Sequence, residues 1–141
     1  MQRRQFLFHA LGGLSVSVLP IIAKSTEVIK LRDLYARDGS ASKLALSLQG
    51  QRITIDGFMA PPLKAESQFF VLTRIPMAVC PFCETEADWP ADILAVYTKR
   101  TVNVVPFNRR IESRGILELG PYRDPDTGFS SMVRLNDAVY G

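Results

Sequence analysis

The sequence predicts a mainly β domain with little helix, and within that class a small five-stranded barrel of the oligonucleotide/oligosaccharide-binding type. Three observations carry that expectation. Apolar residues recur in short runs with strand-like alternation, not in long helical periods. Gly and Pro, 9 of each, fall between those runs and punctuate them. A chain of 141 residues that is 47% hydrophobic has material for one core.

The first element is a leader, not part of the fold. Arg3-Arg4-Gln5-Phe6-Leu7 opens an apolar run that ends at Ala23. A basic start, an apolar middle and a small terminal residue make an export signal over 1–23. Its paired arginines followed by x-Phe-Leu resemble a bacterial twin-arginine signal, with Gln2 and Phe8 where that pattern commonly has Ser or Thr and Lys. A twin-arginine route carries proteins already folded, so a metal could be loaded before export. The run is short for a span and is interrupted by Gly12, Gly13, Ser15, Ser17 and Pro20, so cleavage is expected over retention as an inner-membrane anchor. The expected location is the periplasm of a bacterium, with membrane contact only through the N-terminal segment if it is uncleaved.

Residues 24–141 then form a single domain, free of internal repeats and low-complexity tracts. Without Arg3 and Arg4 the net charge of +3 falls to +1, which argues against an electrostatic nucleic-acid binder.

Within this domain, Val28 to Tyr35 carries Ile29, Leu31 and Leu34 as apolar positions, either a short helix or a lead-in strand, and Asp38-Gly39-Ser40 breaks it. Ser42 caps a short helix over 43–48 that ends at Gly50. Residues 52–59 alternate as a strand with Ile53 and Ile55 on one side, and Gly57 marks a bulge or a close backbone approach. Pro61-Pro62 stops it. Residues 68–74 read as a strand buried on both faces, 93–98 as another, and 102–105 as an edge piece before Pro106. The hairpin is clearest at the end, with Ile111 to Leu119 pairing Phe129 to Leu135 across 120–128. Asp124-Pro125-Asp126-Thr127-Gly128 resembles the start of a calcium loop, but the downstream glutamate is missing, and a turn explains these residues better. Arg109-Arg110 with Lys99-Arg100 reads as a solvated strand end, and Trp89 as a core or rim aromatic.

The functional question centres on Cys80-Pro81-Phe82-Cys83, which holds both cysteines of the chain. Two thiolates at this spacing suit a soft or borderline metal. The sole histidine is His9, so zinc would need carboxylates such as Glu84, Glu86 or Asp88, or a second molecule, whereas copper(I) is satisfied by two thiolates. The tetrapeptide also resembles the active site of glutaredoxins, although the acidic stretch from Glu84 to Asp88 disfavours a reactive thiolate and Pro90 ends any following helix. The third reading is a local disulfide in an oxidising compartment, its small ring contributing less than the roughly 3 kcal/mol of a 15-residue loop.

Gly57-Phe58-Met59-Ala60-Pro61, Phe69-Phe70-Val71-Leu72, Cys80 in a Pro-bearing loop and Ile93-Leu94-Ala95-Val96-Tyr97 together resemble a family of uncharacterised exported bacterial β-rich proteins. In that family a Gly-Tyr-Met-x-Pro element precedes an apolar strand and a Cys-x-His-Pro-Pro loop, and some members are associated with metal-transport, notably zinc-transport, gene clusters. The likeness covers about residues 48–97 and carries over Cys80 alone. Phe82 stands where the family has histidine, and Cys83 enters from its own chemistry.

The absence of histidine beyond the leader excludes Ser-His and Cys-His nucleophilic catalysis in the usual form. Neither a phosphate loop nor a dinucleotide fingerprint is present. The expected function is therefore that of an exported, non-enzymatic accessory protein. It binds zinc or copper(I) through Cys80 and Cys83 and serves a membrane transporter or another exported protein. A thiol-disulfide oxidoreductase using the same pair, and an interaction module with a structural disulfide, are the alternatives.

Overall fold

A computed structural model describes residues 17, 27–62, 64–78 and 92–141. The described chain is mainly β, a single six-stranded sheet with little helix. Its strands are β1 (Val28–Lys30), β2 (Arg52–Met59), β3 (Phe69–Thr73), β4 (Ile93–Thr98), β5 (Arg110–Arg123) and β6 (Ser130–Tyr140). The order across the sheet is β1-β2-β3-β4-β6-β5, and β5 also pairs with β2. Neighbours are antiparallel except β1 with β2 and β4 with β6, which run parallel.

Register explains how one strand serves three partners. Thr54 to Asp56 of β2 pair with β1 and with β5, so those two lie on opposite edges of β2. Phe58 pairs with Thr73 of β3 and with Arg110 of β5, which puts β3 on the same edge as β1, further along the strand.

The lead-in segment is both of the things its sequence allows, a short strand followed by a 3-10 turn over Leu31–Leu34. The helix α1 (Lys43–Leu48) is present with the expected cap, the Ser42 hydroxyl accepting from the Ala45 N–H at 3.1 Å. The 3-10 turn and α1 add Leu31, Leu34 and Ala45 to a core that also takes Ile53 and Ile55, Phe70 and Leu72, Leu94 and Val96, Leu117 and Leu135 from five strands. A strand shows alternate side chains to opposite faces. The odd-numbered residues Phe69, Val71, Ile93 and Ala95 accordingly form a second cluster with Ala60 and Phe129. That is why β3 is buried along its whole length, as its unbroken apolar run suggests.

Two boundaries differ from expectation. Residues 102–105 form no strand. They run as a connection held by the Val102 N–H donating to Ser67 O at 2.8 Å and the Val105 N–H donating to Met59 Sδ at 3.4 Å. The terminal hairpin is longer than its Gly and Pro residues imply, because Gly120 and Pro121 lie inside β5. The pairing with β6 shifts between Leu119 and Tyr122, and Gly120 has φ +106°. A bulge leaves a residue unpaired, so it accommodates a proline that cannot donate and a glycine that can take this φ. The turn itself shrinks to residues 124–129.

Among the described residues no helix is long and apolar enough to cross a membrane. The proposed leader, 1–23, lies outside them apart from Ser17.

Candidate functional site

Cys80 and Cys83 lie outside the described residues, together with Glu84, Glu86, Asp88 and Trp89. The stem of the β3–β4 connection is described: the two strands pair to their ends, where Thr73 faces Ile93. The Arg74 N–H donates to Asp92 O at 3.2 Å, and the two side chains approach to 4.0 Å. The Tyr35 hydroxyl donates to Ile93 O at 2.6 Å. The buried Thr73 hydroxyl sits 2.7 Å from Ile75 O and 3.2 Å from Phe58 O. Among the described residues no three His, Cys, Asp or Glu side chains gather to hold a metal.

Gly57 to Pro61, singled out by sequence, packs beneath this stem. A Cβ on Gly57 would stand 2.7 Å from Thr73 O and 2.8 Å from Leu72 Cγ, so the glycine permits the close approach that its place in the strand suggests. Met59 is buried and its sulfur accepts from the Val105 N–H. Ala60 continues the contact through its N–H to Val71 O at 2.9 Å. Packing accounts for Gly57, Phe58, Met59 and Ala60 at this end of the β2–β3 pair.

The opposite end of the β3–β4 pair carries a second feature that sequence reading missed. Four residues of strand, roughly 13 Å, separate Phe69 from Thr73. Phe69 stacks on Tyr97 with ring centroids 5.2 Å apart, and Tyr122 of β5 stands perpendicular to Tyr97 at 5.8 Å. The Arg134 guanidinium lies 4.9 Å from the centre of the Tyr122 ring. Arg134 is itself buried and is held by Glu118 Oε1 at 2.5 Å and Gly120 O at 2.8 Å. Asn136 also donates to Glu118.

Asp124 joins this group to the turn. Its Oδ1 accepts from the N–H groups of Asp126 at 2.8 Å and Thr127 at 2.9 Å, and its Oδ2 accepts from the Tyr97 hydroxyl at 3.1 Å. Burial pushes the Asp124 carboxyl up, but the donors from Thr127, Asp126 and Tyr97 outweigh it and hold the pKa below the usual value. Burial, and then the Asp124 charge, raise the Tyr97 phenol, so it remains a donor through the neutral range. Together with Lys64, Glu66 and Gln68 from the β2–β3 connection these groups line a cleft of about 360 Å³. Tyr97 and Asp124 are 27 residues apart, and no local pattern announces that they meet.

The positive pairs near the strand ends are solvated, as expected. Arg110 bonds Asp56 at 2.6 Å and covers Phe58, and Lys99 pairs with Asp137 at 3.0 Å.

No family model matches this chain, and none of the curated proteins does. Among solved structures, a DUF3299 family protein from Pseudomonas aeruginosa is similar over 72% of this chain and 66% of its own length, with a TM-score of 0.46 and 14% identity. The matched region thus spans a little under two thirds of that protein.

Proposed function

We propose that the chain is an exported, non-enzymatic accessory protein. In this reading its five-stranded barrel, of the oligonucleotide/oligosaccharide-binding type, presents a metal-binding loop. The barrel reading is supported by the order β2-β3-β4-β6-β5 together with the further β2–β5 pairing, which joins the two ends of that order. The parallel β4–β6 pair inside an otherwise antiparallel ring agrees with a Greek-key path.

The observation that favours the loop as the working part is its stem. Arg74 and Asp92 are joined by a backbone hydrogen bond, and Thr73 and Tyr35 tie the same ends to the body. A long connection on a rigid base is how scaffolds hold binding residues. Cys80 and Cys83 supply two soft ligands for zinc or copper(I), and delivery to or from a membrane transporter or another exported protein is the corresponding role. Export rests on the arginine pair and apolar run of 1–23.

Purified, reduced protein is expected to take up zinc or copper(I) in amounts that the double variant Cys80→Ser, Cys83→Ser does not match. Equal uptake by the two sinks the metal reading. A thiol titrating well below the ordinary cysteine value of about 8.5, with exchange against small disulfides, transfers the function to redox chemistry.

A further inference from the structure

We propose that the end of the sheet carrying α1 rests on the surface of an anionic lipid bilayer. A chain of contacts brings that end together. Gln51 follows α1, and its side chain donates to Ser47 O at 3.1 Å. Arg52, next in sequence, opens β2 and bonds the Asp137 carboxylate at 2.6 Å. The same carboxylate holds Lys99 at 3.0 Å, just past the end of β4, and Arg100 follows.

The first argument is apolar surface that the core does not use. α1 places Ala45 in the core and packs Leu48 against it, but Leu44 is 42% exposed and Leu46 59%. At about 3.6 residues per turn, Leu46, Lys43, Ser47 and Leu44 follow one another around the outward side of the helix. Leucines flanking a lysine make a short amphipathic surface, with the lysine stem lying along apolar ground while its ammonium reaches outward.

The second argument is charge. Lys43, Arg52, Lys99 and Arg100 are all exposed, and among the described residues Asp137 alone lies in ion-pair range of any of them. From residue 39 to 55 the sequence has no Asp or Glu. Cations in this excess over one carboxylate attract an anionic surface, and each one close to it contributes a roughly fivefold gain in affinity. Exposed apolar side chains rimmed by charge of one sign fit the same surface.

The third argument selects a bilayer over an acidic protein. β1 runs parallel to β2 with Val28 opposite Thr54, two residues along from Arg52, so the chain upstream of Val28 enters beside this end. That upstream chain includes the apolar run of residues 6–23. The proposal rests on the export reading only in treating that run as membrane-directed. The β3–β4 connection leaves from Thr73, which faces Phe58, roughly 20 Å along β2 from Arg52. Its stem therefore stands away from the docked end.

The test is flotation of residues 24–141, which hold every residue of both core clusters, with vesicles of phosphatidylcholine alone or mixed with an equal share of phosphatidylglycerol. Binding is expected on the mixed vesicles and not on phosphatidylcholine alone, and added salt should weaken it. Arg100→Glu should weaken it by roughly tenfold or more, because a cation is replaced by an acid. Arg109→Glu makes the same change in net charge at the other end of the same connection, beside the Arg110–Phe58 pair, and should leave binding unchanged. Leu46→Gln, which keeps the helix propensity, should weaken binding severalfold. The Cys80→Ser, Cys83→Ser protein should bind as the wild type does, so failure here and failure of the metal reading are separable. No binding to the mixed vesicles, equal binding to both kinds, equal loss from Arg100→Glu and Arg109→Glu, or undiminished binding of Leu46→Gln overturns the proposal.

Discussion

Strands β3 and β4 bury both of their faces, but in two different ways. The even-numbered side chains Phe70, Leu72, Leu94 and Val96 enter a core shared by five strands, the 3-10 turn and α1. The odd-numbered Phe69, Val71, Ile93 and Ala95 cluster with Ala60 and with Phe129 of the β5–β6 turn, whose ring lies 5.6 Å from that of Phe69. The first cluster is the larger. The second is small and borders a surface cleft at Phe69 and Tyr97. The same pair of strands thus faces a core shared by five strands on one side and a small cluster beside a surface cleft on the other.

Truncation should expose this difference most strongly. Leu94 is fully buried, and Leu94→Ala is expected to cost roughly 3–5 kcal/mol, because the enclosed site cannot collapse around the space left. Phe129→Ala removes a larger side chain, yet only about 3 kcal/mol, the low end for a phenylalanine, is expected, since the turn can settle onto Phe69. Urea unfolding monitored by far-ultraviolet circular dichroism compares the two. Equal losses would mean that the outer cluster is as closed as the inner one.

An added methyl group is the next test. Gly57→Ala places a carbon against the Thr73 carbonyl and the Leu72 side chain, with the backbone contact at 2.7 Å. Neither the carbonyl nor the packed Leu72 can move far, so a cost of about 2 kcal/mol is expected. The same strain should reach the stem through Thr73, and faster amide exchange at Arg74 is the sign that sharpens the comparison. A loss of stability with unchanged exchange there would confine the effect to the inner core.

How much of this was legible in the sequence depended on the range of the interaction. The boundaries of β2, β4 and α1 follow from alternation and from a capping serine, which act over a few residues. The burial of both faces of β3 was readable from an unbroken apolar run. Gly57 was readable as a close approach, though not against which partner. Gly120-Pro121 misled, because those residues stop an ordinary strand and are tolerated here only by the bulge opposite β6. The Tyr97–Tyr122–Asp124 cleft was hidden, since three commonplace residues from a strand, a bulged strand and a turn meet only after the hairpin folds over β3 and β4. Of the cysteine loop, the sequence offered the thiols and the structure describes the stem.

The smallest effect concerns the turn that closes the outer cluster. Asp124→Asn keeps an oxygen for the Asp126 and Thr127 N–H groups but removes the charge that strengthens those bonds and the one from Tyr97. At neutral pH the variant should lose less than about 1 kcal/mol. The sign of the pH dependence follows from the depressed carboxyl. Its contribution is complete above the unfolded value of about 3.9, and it fades as pH falls through the lower folded value. Thermal unfolding of both proteins across the acid range should therefore show the wild type ahead at neutral pH and the gap closing below pH of about 4. A gap that stays constant with pH would mean that the aspartate acts through the shape of its turn alone. A gap that widens on acidification would contradict the bonding described for Oδ1 and Oδ2. Leu94 is buried among the apolar side chains of the larger cluster, so its variant should show no matching closure, and this separates the two faces of β4.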